Sequence, residues 1–557
     1  METFKDEKEG GMVLVFGGKV LVIDIDLLVS RTEANVQVLG IKTTYAASSL
    51  TSESSTMDGS SSLDAYLKNS LQRFFAEVQK PEETRNPVEA ARLGKIVLDD
   101  LRYLVMLDGL AERKGDGGVR WFVDVDQLWS VVEDVSKREA QAIASSSGTT
   151  RPPLDIFLLR SHALPLPYLF FPSLSFLIHI SPLVYLTTLR KFADDILIDA
   201  TNSLPQFDVP LSGLRSYLSD RPRGATMCTL LLSQPTETHL FEPSMSMPNL
   251  TSRPTFPLVL GLSDPEHVFP QLDISVSSLD ATLDDSSGRN IWILDFTSDG
   301  KSSGVVMSQS RMRDIELVIN PLSSMETLSS VGMLSFGSGS WVDLLLNPSI
   351  PISPECYTAF YVSPTSLHPP LQLRLTAPEE PGFILEKVPV HSMKEVWGVL
   401  EIVREQCWLN ETLLSCQWLP EGIKLNPSDD QSTKEAEIDV TEEILQSVLQ
   451  GTLTPRKIPV NVFIPNSSTD SLFESTDLES ITKMQKPRVI MSSPERPPIS
   501  GLVAITVSYD ESRPRGLGVE ISGAMGADLR VDVLEEICRR GGTMSLPGRV
   551  WVKSVES

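Results

Sequence analysis

Residues 371–414 read LQLRLTAPEEPGFILEKVPVHSMKEVWGVLEIVREQCWLNETLL, and they set a strand before a long helix. The short apolar run Leu371–Leu375 predicts the strand. Ser392-Met-Lys-Glu395 is a capping-box pattern, in which a serine side chain satisfies the first helical N–H groups and a glutamate reaches back. Val396, Leu400, Val403 and Cys407 then share one helical face, so a helix is expected over 392–410. A β-rich region followed by a long helix reads as an α+β chain.

Upstream, residues 154–390 break into short runs divided by Pro, Ser and Gly. Thr229–Ser233, Pro257–Leu262, Ile291–Phe296, Ile315–Ile319, Val342–Leu346 and Ala359–Val362 are expected strands. Nearer the start, Met12–Phe16 and Val20–Ile25 flank Gly17-Gly18, a hairpin signal because paired glycines accept the positive φ of a tight turn. Val36, Val38 and Ile41 add a strand. Three amphipathic helices follow: Leu63 to Val78, Val97 to Leu107, and one from near Asp124 to Lys137 and Arg138. Downstream, 424–500 is acidic and Ser/Pro-rich, with a short helix at Thr441–Leu449 and a strand at Ile458–Ile464. Strands at 502–508 and 517–521, a helix at 532–540 and a strand at 549–553 end the chain. The expected organisation is a helical N-terminal part after short strands (1–147) and a β-rich centre (148–423). An acidic linker or insertion (424–500) and a small α+β unit (501–557) complete it.

The chain has 557 residues, with Asp+Glu 73 against Lys+Arg 48 and a net charge of −25. Such a balance argues against a surface built to grip phosphate backbones or anionic membranes, which needs clustered cations. With 41% hydrophobic residues there is material for real cores. The five cysteines (Cys228, Cys356, Cys407, Cys416 and Cys538) are spread apart without a CxxC pair, which points to a reducing compartment. The first residues carry both signs of charge and lack the basic start of a secretory signal. The sequons at Asn249, Asn410 and Asn466 are then without meaning. Between Arg160 and Arg190 no charged residue occurs, but Pro165, Pro167, Pro172 and Pro182 interrupt the run. It reads as a buried strand, Phe176-Leu-Ile-His-Ile180, and a turn rather than a membrane span.

No set of residues assembles recognisable chemistry. Ile291–Phe296 leads to Gly300-Lys301-Ser302, the end of a phosphate loop, but Asp295 stands where that motif needs its first glycine. Gly516, Gly518 and Gly523 miss the dinucleotide spacing. His179 reads as a core histidine, Cys407 and Cys416 as small buried hydrophobes, and Asp99-Asp100 and Asp194-Asp195 as solvated helix faces. Arg539 and Arg540 close a helix before Gly541-Gly542, making a basic spot with Arg549. No catalytic, cofactor-binding or metal-ligating residue is assigned, and no enzyme is expected.

One resemblance stands beside this. Phe360-Tyr361-Val362-Ser363-Pro364 precedes the strand Leu371-Gln-Leu-Arg-Leu375 and a helix holding Arg404-Glu-Gln406 and Asn410-Glu411, which ends at Leu414-Ser415-Cys416. This order resembles subunit 1 of the Mediator complex of RNA polymerase II transcription. Leu63-Asp-x-Tyr-Leu67 before the helix Val97–Leu110, and Arg539-Arg-Gly-Gly542 with Leu546-Pro-Gly-Arg-Val-Trp551, look like fungal members of that family. The resemblance implies a non-catalytic subunit of the Mediator middle module, located in the nucleus. Its partners would be other middle-module subunits and transcription activators, with the polymerase machinery reached indirectly and neither nucleic acid nor membrane bound directly. Animal relatives carry LxxLL boxes; here Leu445-x-x-Val448-Leu449 comes nearest and reads as an ordinary helix face. An adaptor or scaffold of another complex is the alternative reading, and a nucleotide-binding enzyme built on Gly300-Lys301-Ser302 a third.

Overall fold

The computed structural model describes residues 2–8, 11–30, 35–46, 56–112, 118, 120–192, 206–233, 291–298, 302–319, 339–348, 354–421, 442, 446–447, 456–465, 486–496, 499, 501–523 and 529–554. Helices and strands are both abundant and form several sheets, an α+β architecture.

The N-terminal sheet is an antiparallel meander of β1 (Glu2–Lys8), β2 (Gly11–Gly17), β3 (Leu21–Ser30), β4 (Asn35–Ala46) and β5 (Thr56–Asp58). The expected hairpin is the β2–β3 pair. Its turn depends on a residue far along the chain. Asp108, buried on the second helix, accepts hydrogen bonds from the backbone N–H groups of Lys19, Val20 and Leu21, each at 2.9 Å. A Cβ at Gly18 would lie 2.5 Å from that carboxylate, so glycine is required by close approach. Three helices follow: α1 (Ser61–Val78), α2 (Pro87–Ala111) and α3 (Arg120–Ser147). Ser60 caps α1, and Asn86 caps α2, which opens on a proline. The third helix extends beyond both expected ends because Trp121, Phe122, Ala140 and Ile143 continue its buried face.

After α4 (Leu154–Arg160) come β6 (Leu164–Pro167), β7 (Leu174–Ile180), α5 (Pro182–Lys191), α6 (Leu211–Ser219), β8 (Ala225–Ser233) and β9 (Ile291–Asp295). All seven residues of β7 are buried, as expected for the uncharged stretch. Its last part forms α5, capped by Ser181 and opened by Pro182, where a turn was expected. Among the described residues no helix is long and apolar enough to cross a membrane.

The remaining elements are β10 (Val305–Ser308), α7 (Gln309–Ile319), α8 (Trp341–Leu346), β11 (Cys356–Tyr361), β12 (Leu371–Thr376), β13 (Gly382–Leu385) and β14 (Lys387–Pro389). Then come α9 (Met393–Leu414), β15 (Leu419–Pro420), β16 (Ile458–Phe463), β17 (Arg488–Pro494), β18 (Leu502–Tyr509), β19 (Leu517–Ser522), α10 (Val531–Arg539) and α11 (Leu546–Lys553). A central sheet has the order β14-β9-β8-β7-β6, and β10 pairs with β13. A seven-stranded sheet runs β15-β11-β12-β16-β17-β18-β19, antiparallel except for the parallel β12–β16 pair.

Several expectations are corrected. The boundaries drawn at 423/424 and 500/501 fall inside the seven-stranded sheet, because β16 and β17 from the acidic stretch pair with strands on either side. The boundary at 147/148 crosses one core, in which Leu104 and Phe122 cluster with Phe176 and Leu400. Ile315–Ile319 is the end of α7, where Arg311, Met312, Ile315 and Ile319 recur at helical spacing on its buried side. Val342–Leu346 lies in α8, started by a reciprocal box between Ser340 and Asp343. Residues 549–553 belong to α11, whose first turn holds Pro547. The strand expected at Pro257–Leu262, the pair Asp194-Asp195 and nearly all of the helix expected at Thr441–Leu449 lie outside the described residues.

Candidate functional site

A buried polar cluster sits on α9, which joins two cores. Its first part, Met393 to Cys407, packs in the core shared with the N-terminal helices and the central sheet. Trp408, Leu409 and Leu413 belong instead to the core under the seven-stranded sheet. Between them Arg404, Glu405 and Gln406 are buried to 4%, 2% and 1% exposure, so they work inside the fold and not on its surface. Glu405 pairs with Arg311 of α7 at 3.1 Å and with Lys486, just before β17, at 2.6 Å. Lys486 also reaches Glu401 at 3.0 Å and Glu511 at 3.1 Å. Arg404 Nη1 donates to the carbonyl of His162 at 3.2 Å, and its guanidinium lies 5.8 Å from the Tyr509 ring. Gln406 donates to Asn410 Oδ1, and Asn410 Nδ2 to the carbonyl of Val306, both at 2.9 Å.

Carboxylates of Glu401, Glu405 and Glu511 come within 4.8 Å of one another, a spacing that could hold a metal ion. The Lys486 ammonium already donates to all three. A cation is thus supplied by the chain itself. Burial pushes Glu405 above the usual carboxylate range, against the pull of Arg311 and Lys486. Burial alone would lower the Lys486 pKa, but its bond to Glu405 raises it.

A concavity lies elsewhere, as a cleft of about 890 Å³ between α1, α3 and α6 with β6 and the following residues as its floor. Ser62, Tyr66, Asn69 and Arg73 recur along one side of α1, and Ser212, Arg215, Ser216 and Ser219 along one side of α6. Arg215 is held from beneath by the carbonyls of Pro167 and Tyr168. Burial lowers its pKa. The Arg221 guanidinium lies 4.5 Å from the Phe170 ring. Sequence reading missed this cleft because its helix α6 was not foreseen. The recurrence of Ser212, Arg215, Ser216 and Ser219 was the available signal.

The residues singled out from sequence fall in separate places. Asp295 is buried and accepts from the N–H of Thr297 at 2.8 Å and its hydroxyl at 2.6 Å. Gly300 and Lys301 lie outside the described residues, and the segment after Ser302 forms strand β10 where a phosphate loop needs a helix. Gly516 has φ 75° at the turn entering β19, Gly518 is within that strand and Gly523 ends it. His179 lies in the core, where burial lowers its pKa to about 4. Cys407 is buried with its thiol pushed up to about 12, while Cys416 is half-buried and shifted in the same direction.

The expected solvated face at Asp100 and the expected basic spot around Arg539 are both corrected. Asp100 is buried and accepts from the Tyr66 hydroxyl at 3.1 and 3.0 Å. Arg539 does not join a basic spot with Arg540 and Arg549. It is buried, paired with Asp155 of α4 and bidentate to Glu536, so it locks α10 onto the central region. Arg540 faces the Tyr185 ring at 5.5 Å, and Arg549 donates to Ser545.

No family model matches the chain, and no curated protein matches it in sequence.

Proposed function

We propose that this chain is a non-catalytic subunit of the Mediator coactivator complex, of the subunit 1 type, acting in the nucleus between DNA-bound activators and RNA polymerase II. The observation that carries the reading is the stretch Phe360–Trp418, whose motif order resembles that family. It contributes the end of β11, all of β12 and α9, and the strands between β12 and α9 that enter two other sheets. Its polar residues Arg404, Glu405, Gln406 and Asn410 are buried structural ties, in keeping with a family signature that concerns shape and not chemistry. Phe360, Val362, Leu367 and Leu414, from the same stretch, are more than half exposed and offer apolar contact to neighbouring subunits.

Purification of the tagged chain from native extract tests the reading. Mediator subunits should co-purify, and size exclusion should place the chain in a megadalton-scale assembly. A lone chain, or a stable partner set without Mediator subunits, would refute it. The latter result would favour an adaptor of another complex.

A further inference from the structure

The N-terminal sheet and its first two helices do not meet completely. Between the inner face of the sheet and helices α1 and α2 lies a cavity of about 110 Å³. Its floor is Ile23 and Ile25 of β3 with Ile41 of β4, and Leu67 of α1 closes one side. β-Branched side chains are stiff at χ1, so the floor does not swing in to fill the space. Nor does α2 settle onto the sheet, because it is held at two levels. Asp100 accepts from the Tyr66 hydroxyl of α1, and Asp108 accepts from the turn amides of Lys19, Val20 and Leu21.

The lining decides what can enter. Every lining side chain is apolar except Ser70 and Asp100, and Asp100 is already bonded to Tyr66. A buried water needs about two to four polar partners, which this wall does not offer. The lining atoms meanwhile lack contacts on their open side, a loss that a close-fitting apolar occupant restores. A dry cavity of about 150 Å³ accepts benzene, so about 110 Å³ suits a compact group of about five carbons. Leu14, Phe16, Phe75 and Leu101 line the same space and are only partly buried, which puts its mouth between β2 and the two helices.

We propose that this cavity is a binding site for a small, unsubstituted hydrocarbon ligand of about five carbons. The inference goes beyond the Mediator assignment, since it depends on this cavity alone and holds or fails whatever complex the chain enters.

Methyl NMR of the full chain, labelled at isoleucine and titrated with cyclopentane, tests it. The Ile23, Ile25 and Ile41 methyl signals should shift and saturate, while Ile505, in the core under the seven-stranded sheet, stays in place. Cyclopentanol, whose hydroxyl would be buried without a partner, should bind at least about tenfold more weakly. Val97→Phe places a ring in the cavity and should abolish the shifts. Leu101→Ala enlarges the cavity and should let benzene bind about tenfold more tightly than in the parent. Either variant decides the matter alone if the other fails to fold. Absence of saturable shifts, or shifts and affinities unchanged by the substitutions, overturns the proposal. Equal affinity for cyclopentanol would show a polar site and overturn it too. So would uptake of xenon without cyclopentane, which would make the cavity a packing void.

Discussion

Single residues show how burial changes the meaning of a side chain. His179 lies in the core on β7, and desolvation lowers its pKa to about 4 from the ordinary 6.5. The unfolded chain therefore takes up that proton first as pH falls. The stabilisation from neutral, buried His179 is complete above pH 6.5 and is lost progressively toward pH 4, amounting to about 3 kcal/mol. Urea unfolding at several pH values should show a shallower pH dependence in His179→Gln than in the parent between pH 6.5 and 4.5. Identical slopes would rule this out. That His179 belongs to the core was legible from the apolar run around it. The burial of Asp100 and Arg539 was not, because a charged residue on a helix looks the same from its neighbours whether water or another element covers it.

At the scale of elements, α9 was the best defined from sequence, since Ser392 and the apolar face at Val396, Leu400, Val403 and Cys407 are local signals. The cap forms as expected at Ser392, which accepts from the N–H of Glu395 at 3.3 Å, although the Glu395 side chain reaches back to the N–H of His391. The helix runs on to Leu414 because Trp408, Leu409 and Leu413 extend it into the second core. What sequence could not show is that Lys486 reaches α9 from before β17. Lys486→Ala should cost about 2 kcal/mol at pH 7, less than for a fully buried pair because the lysine is about a third exposed. The loss should shrink near pH 4, where protonation of Glu405, which burial holds above the usual carboxylate range, relieves the charge left unpaired. Chemical denaturation at both pH values measures it, and an unchanged stability at pH 7 would show that Lys486 is not the tie.

The misread elements share one cause. Ile315–Ile319, Val342–Leu346 and Arg549–Lys553 are short and rich in branched side chains, and such runs do not distinguish a strand from one or two turns of buried helix. The cues that decide them begin just outside: Met312 for α7, Ser340 with its box to Asp343 for α8 and Pro547 for α11.

Across the whole molecule, the seven-stranded sheet makes the last quarter of the chain dependent on the middle. β18 pairs with β17 along its length, and its inward residues Val503, Ile505 and Val507 share a core with Tyr357, Leu373, Val460 and Val489. Residues 501–557 expressed alone should therefore show no cooperative thermal transition by circular dichroism. A sharp transition in that fragment would restore the C-terminal segment as a unit of its own.

By itself the sequence determined the α+β class, the N-terminal hairpin, the first helices, α9 and the interior placement of the uncharged stretch. Each depends on periodicity or capping within about twenty residues. Tertiary structure alone decided which strands share a sheet, that the acidic stretch contributes two of them, and that Asp108, Arg539 and Lys486 are structural ties. It also brought the walls of the cleft together. Those outcomes depend on pairings between residues tens to hundreds of positions apart, and the energy of such a pair is absent from the local pattern of either partner.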